Sequence, residues 1–311
     1  MLGRTAQGLF WTFRYLERSE NAARLIDAGF RIALTRSASP EQEWMSVLAY
    51  VRDSYDERYD DYSGKNVLHF LLRDRSHPAS VFSMLENART NAKVVRTALT
   101  REVFEAINET YLNLRDMLAR PISERELPTV LAAIRRQSGL VRGALHGTML
   151  RNDGYSFARI GTYLERADNT ARILDVKYFV LLPSAAHVGQ TIDNVQWETI
   201  LRALSALRSY RSVSRDQMSA RGISEFLILD QRLPRSLIFC CDAVAENLSQ
   251  LAAVYGASTP ALELAVTTRD GLRRRTVDMI MDEGLHEALD SFIRTNNAIA
   301  AQIEKDYRFN E

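Results

Sequence analysis

Cysteine is nearly missing from this chain. The two that occur, Cys240 and Cys241, are neighbours, so no disulfide framework can be drawn, and a reducing, cytoplasmic setting is the expectation. Proline (7) and glycine (14) are scarce among 311 residues, which disfavours a many-turned β architecture and favours long helices. No charge sign dominates: 40 Lys and Arg stand against 39 Asp and Glu. A nucleic-acid binder draws affinity from phosphate neutralisation and needs a basic excess. The one basic triplet, Arg273-Arg274-Arg275, reads as a solvated helix face, so no nucleic-acid partner is expected. Long apolar runs are lacking too. Phe179-Val180-Leu181-Leu182 is the most apolar stretch, far short of a membrane span, and the first residues, MLGRTAQGLFW, show no apolar signal core. No membrane association is expected.

Histidine is sparse as well, with His69, His77, His146, His187 and His286, and none pairs at i,i+4. A di-iron bundle wants Glu-x-x-His on two helices. The one such spacing, Glu283 to His286, is interrupted by Gly284, and Asp290 stands where a zinc-protease motif beginning at His286 needs a second histidine. There is no P-loop and no GxGxxG. No metal and no cofactor is expected. Cys240 and Cys241 lie among Leu237, Ile238 and Phe239 and read as small buried apolar groups.

What the chain does have is a repeat. YLERSENAARLID begins at Tyr15 and YLERADNTARILD at Tyr163, with eight of thirteen positions identical. Trp44, Val47 and Leu48 are followed 153 residues later by Trp197, Ile200 and Leu201. Phe70-Leu71-Leu72, Asp74, Pro78, Ser80 and Asn91 match Phe226-Leu227-Ile228, Asp230, Pro234, Ser236 and Asn247 at a constant offset of 156. Three anchors in one order, with a slowly growing offset, read as a tandem duplication. The expected fold is all-α: a helical bundle of two multi-helix units, 1–148 and 149–311, related by a pseudo-twofold axis.

Helix signals follow the same frame. A long helix is expected over 5–36 and a second from Ser39-Pro40 through Trp44 to about 59. A polar connector should follow over 60–77, and then a helix with Pro78 in its first turn. Thr100 can cap the next helix, with Glu102 in its first turn, and Ser123-x-x-Glu126 resembles a capping box. Asn152-Asp153-Gly154 marks a turn in which Asp153 can cap a long helix over 155–182 that Pro183 ends. Unit two should repeat the pattern with a Trp197 helix, a Pro234 helix, a restart at Thr259-Pro260 and a last helix to about 307.

On a helix, at about 100° per residue, Glu17, Glu20, Asn21, Arg24 and Asp27 share an arc of roughly 120°, with Arg18 beside it. Glu165, Asp168, Asn169, Arg172 and Asp175 fall identically, with Arg166 alongside. Exposed i,i+4 pairs contribute only about 0.2–0.5 kcal/mol. That does not require Arg rather than Lys, or a mid-helix Asn, twice over. Three readings stand: a structural network where the two long helices meet, a ligand or catalytic site at that junction, and a plain solvated face. Secondary candidates are Asp74 and Ser80, and Asp230, Arg235 and Ser236. They read as loop-to-helix entries or, alternatively, as seats for an anion at two helix N-termini.

Four segments, GLFWTFRYLERSENAARLID, SVFSMLENARTNAKVVR, DGYSFARIGTYLERADNTARILDVKYFVLLP and FLILDQRLPRSLIFCCD, together resemble the bacterial alpha-E domain family over nearly the whole chain. The resemblance implies an all-helical protein. It implies as partners a circularly permuted ATP-grasp ligase and a transglutaminase-like cysteine peptidase, hence a setting of peptide ligation or modification. It also places Glu17, Arg18, Glu20, Asn21, Arg24, Glu165, Arg166, Asp168 and Arg172 on the family motif. Three functions follow as expectations. The first is a non-catalytic accessory or peptide-binding partner in such a system. The second is an enzyme using the stripe carboxylates as acid and base, with Arg holding a substrate carboxylate. The third is a structural helical homo-oligomer.

Overall fold

A computed structural model of the chain describes residues 1–33, 39–51, 59–180, 191–214 and 218–309. Among the described residues every regular element is a helix: α1 (Gly3–Ala33), α2 (Pro40–Val51), α3 (Gly64–Leu72), α4 (Val81–Val94), α5 (Arg101–Leu118), α6 (Leu127–Thr148), α7 (Asp153–Val180), α8 (Thr191–Ala203), α9 (Leu207–Val213), α10 (Ala220–Leu229), α11 (Leu237–Tyr255), α12 (Pro260–Arg273), α13 (Val277–Glu283) and α14 (Leu285–Asp306). By internal contacts the chain divides into two compact units, Met1–Thr162 and Tyr163–Glu311, with the boundary inside α7.

Unit one is built on α1, which packs against α2, α4 and α6, while α5 lies against α4 and α6. Phe13, Ile26, Trp44, Phe70, Leu72 and Met84 are among its buried apolar side chains. Each such side chain contributes on the order of 2 kcal/mol by leaving water. The first turns of α7 belong to this unit. A Cβ on Gly161 would sit 2.3 Å from the carbonyl oxygen of Phe10, so only glycine lets α7 approach the α1 backbone this closely. In unit two, α12 packs on α11 and α14, and α13 bridges α10 and α14. Asn296 of α14 donates to the Leu164 carbonyl (2.9 Å), which ties the last helix to α7. Ten of the 19 residues of α11 are buried there. It is the one described helix long and apolar enough to cross a bilayer.

Caps explain most of the boundaries. Ser63, Ser80 and Thr100 accept first-turn N–H bonds at the starts of α3, α4 and α5, and Ser219, Ser236 and Thr259 do so for α10, α11 and α12. Thr100 with Glu102, and Thr259 with Pro260, are therefore as expected.

Other expectations are corrected. The span 60–77 is not a connector, because it holds α3, whose Val67, Leu68, Phe70, Leu71 and Leu72 are all buried. Pro78 and Pro234 lie in the turns before α4 and α11 and not in their first helical turns, since Ser80 and Ser236 are the caps. Asn152, not Asp153, caps α7, its Oδ1 accepting from the Tyr155 N–H (3.1 Å), while Asp153 faces the N-terminal amine of Met1 (3.4 Å). Ser123 and Glu126 do bond reciprocally, but they close a turn and α6 starts at Leu127. The far ends of the expected 5–36 and 155–182 helices fall outside the described residues, as does Pro183, while Tyr59, the expected end of the second helix, is described and lies outside any helix.

Candidate functional site

The stripe on α1 is buried. Glu17, Glu20, Asn21 and Arg24 are each less than a tenth exposed, and Glu20 is fully enclosed. Carboxylates so placed must be paired or the charge would not stay. Arg24 forks onto Glu20 from one turn along, with Nε and Nη2 both on Oε1 (3.0 and 2.7 Å). From α6, Arg142 reaches both Glu17 (3.4 Å) and Glu20, and Arg135 reaches Asp27 (3.2 Å). Arg31 adds a second contact to Asp27 (3.0 Å). Arg135 and Arg142 are seven residues apart on α6, as Glu20 and Asp27 are on α1, and the pairing runs in reverse order. Two turns of one helix thus face two turns of an antiparallel neighbour. Arg18 lies half-buried beside the stripe.

The α7 stripe, in unit two, is likewise enclosed: Glu165, Arg166, Asn169 and Asp175 are buried. Arg172 forks onto Asp168 (2.6 and 3.2 Å), the counterpart of Arg24 on Glu20 but nearer to solvent. Asp175 has no exposure, and the Nδ1 of His286 on α14 lies 2.6 Å from its Oδ1. Arg166 lies over the Tyr163 ring and donates to the Pro234 carbonyl (3.4 Å), and Thr170 donates to the carbonyl of Arg235 (2.8 Å). The turn before α11 is thereby held against α7. Both ends of the Asn169 amide are buried without a protein hydrogen bond.

The secondary candidates shape turns. Asp74 accepts from the Ser76 N–H (2.9 Å) and hydroxyl (2.6 Å) and from the Tyr59 hydroxyl (2.9 Å), and Ser80 caps α4. Asp230 accepts from the N–H of Arg232 and from its guanidinium, which together hold its carboxyl below the usual carboxylate range. Ser236 caps α11 and donates to the Asp230 carbonyl (2.7 Å), and Arg235 is buried. Burial pushes the Cys241 thiol far up, which leaves it a poor nucleophile. Among the described residues no three His, Cys, Asp or Glu side chains gather as a metal would need.

The groups that close the stripes, Arg135, Arg142 and His286, escape a reading of the stripes alone. The seven-residue spacing on α6 is a weak signal for the first two. Nothing local marks His286.

The description of one family, a predicted alpha-helical domain with a conserved ER motif, matches residues 1–307. The chain belongs to the Alpha-E family. In this Alpha-E chain the two YLER segments place Glu-Arg pairs at Glu17-Arg18 and Glu165-Arg166, of which Glu17, Glu165 and Arg166 are buried and Arg18 is half-buried. Similar curated proteins include uncharacterised proteins of Mycobacterium bovis and Mycobacterium tuberculosis, each 22% identical over 321 residues, covering 92% of this chain and 35% of the relative. The Alpha-E chain thus spans about a third of the length of these relatives. No solved structure matches it.

Proposed function

We propose that the protein is a non-catalytic accessory or peptide-binding partner in a bacterial peptide-ligation or modification system. Its partners there are a circularly permuted ATP-grasp protein and a transglutaminase-like peptidase, and its setting is cytoplasmic. The observation that carries this reading is that the stripe acids, buried at Glu17 and Glu20 and partly buried at Asp27 and Asp168, are met by the chain's own cations: Glu17 and Glu20 by Arg142, Asp27 by Arg135, Asp168 by Arg172. Carboxylates held this way make a rigid frame and a poor proton relay. The length of the relatives supports it too, since a helical module occupying a third of a longer chain works beside other sequence. The identical order of caps in the two units, Ser63, Ser80 and Thr100 against Ser219, Ser236 and Thr259, supports descent by internal duplication. Capture of a tagged chain from native lysate, followed by mass spectrometry, tests the proposal. Recovery of the ligase or the peptidase is expected, and recovery of neither overturns it.

A second reading, an enzyme acting on peptide or amino-acid amide bonds, is favoured by one observation: the Asn169 amide, buried beside Glu165 and without a protein partner, could hold a substrate amide. It requires that Glu17→Gln with Glu165→Gln reduce flux through the pathway. Unchanged flux removes it.

A further inference from the structure

Unit two contains a half-open cavity of about 340 Å³ lined by residues of α10, α11, α12, α13 and α14. Its volume is roughly that of eleven waters, room for a molecule of about ten non-hydrogen atoms. Leu237, Leu272, Ile280, Leu289 and Phe292 supply an apolar floor. Two of its threonines have their O–H groups committed, Thr268 to the Leu264 carbonyl (2.7 Å) and Thr295 to the Ser291 carbonyl (3.0 Å), so that part of the wall offers no free donor. The polar groups stand at the edge: Thr267 and Ser291, both exposed, and the guanidinium of Arg275. Arg275 meets Glu283 through Nη2, and its fork carries further N–H donors for another carboxylate. The floor also reaches a helix backbone. Gly271 lines the cavity inside α12, where glycine costs up to about 1 kcal/mol against alanine, and a Cβ there would meet no atom within 4 Å.

We propose that this cavity binds a small amphipathic monocarboxylate, its aliphatic tail of about seven carbons on the leucine floor and its carboxylate on Arg275. The charge at one edge and the apolar interior select this class over a neutral hydrocarbon or a polar metabolite. The proposal is independent of the partner reading: capture of a ligase neither supports nor weakens it.

Titration calorimetry with octanoate and with 1-octanol, each up to about 1 mM, tests it on the full chain. One saturable octanoate site is expected. Gly271→Leu fills the space beside α12 and should weaken octanoate at least about tenfold. Thr267→Trp, at an exposed rim position, should do the same and carries the test if Gly271→Leu loses its helical circular dichroism. Arg275→Gln should weaken octanoate about tenfold and leave 1-octanol unchanged. Absence of a saturable site, binding untouched by either filling substitution, or equal octanoate binding by Arg275→Gln overturns the proposal.

Discussion

In unit one the third acid of the stripe, Asp27, is met from the last helix by the guanidinium of Arg135; in unit two Asp175 is met from the last helix by the imidazole of His286. The first pair is partly exposed and Asp27 shares a second arginine, whereas Asp175 is fully enclosed. Unit one also sends Arg142 to Glu17 and Glu20. Similar acidic faces thus receive two arginines from the packed helix in unit one, and in unit two an imidazole from the packed helix beside the Arg172–Asp168 pair within α7. The connections differ as well. Between α5 and α6 the chain makes a turn with a broad hollow of mixed lining, Arg120, Ser123 and Glu126 beside Met117, Ile122 and Val130, while between α12 and α14 it inserts α13 beside a smaller, mainly apolar cavity. Similar frames tolerate different closures because a helix pair needs compensated charge and filled volume, and not a particular residue.

The largest break in this comparison is expected at Gly161. The residue 148 positions earlier is Phe13, buried in the core, whereas Gly161 has the Phe10 carbonyl where a side chain would go. Gly161→Leu should cost at least about 3 kcal/mol, because backbone cannot yield as a side chain can. Phe13→Leu should cost nearer to 1 kcal/mol. Urea unfolding of both variants measures this, and a tolerated Gly161→Leu would show that α7 can move away from α1.

Next comes the asymmetry of the stripes. Arg142→Met leaves Glu17 and Glu20 without their α6 cation, and it should cost about 2–3 kcal/mol once its partial exposure is allowed for. Arg172→Met removes a pair nearer to solvent and should cost at most about 1 kcal/mol. Equal costs would mean that the two stripes are equally enclosed.

These contrasts mark what could be read from the chain. The helices with strong caps or breakers, such as those opened by Thr100 and Thr259, were legible because a cap is a local hydrogen bond written within four residues. α3 and α10 were missed because both are short, nine and ten residues, so their apolar period completes fewer than three turns. α13, seven residues closed by Gly284 at φ +105°, was not expected between the helix restarting at Thr259-Pro260 and the last helix. The stripes were visible as patterns on α1 and α7. Their burial and their partners were not, since Arg142 lies 122 residues from Glu20 and His286 lies 111 from Asp175. Such pairings are set by which helices pack, and no local rule encodes that.

A smaller effect tests whether the caps are equivalent. Ser80→Ala and Ser236→Ala each remove a first-turn acceptor and should each cost about 1 kcal/mol. Ser236 also donates to the Asp230 carbonyl and Ser80 to the Ser83 hydroxyl, so the two losses should agree within about 0.5 kcal/mol. A clear difference in thermal unfolding would show that one turn depends on its serine more than the other.

The smallest effect separates the turns by acid. Asp74 is held by Ser76 and Tyr59, whereas Asp230 is held by Arg232, whose guanidinium and N–H keep the Asp230 carboxyl low. A carboxyl with a folded pKa below its unfolded value adds stability above the unfolded value, and loses it as pH falls through the folded one. Asp230→Asn should therefore lower the urea midpoint slightly at neutral pH, and the gap from the native chain should close as pH drops below about 4. Because Arg232 is largely exposed, the effect should stay under about 1 kcal/mol and shrink in high salt. A gap that persists at low pH would mean that Asp230 holds its turn through shape and not through charge.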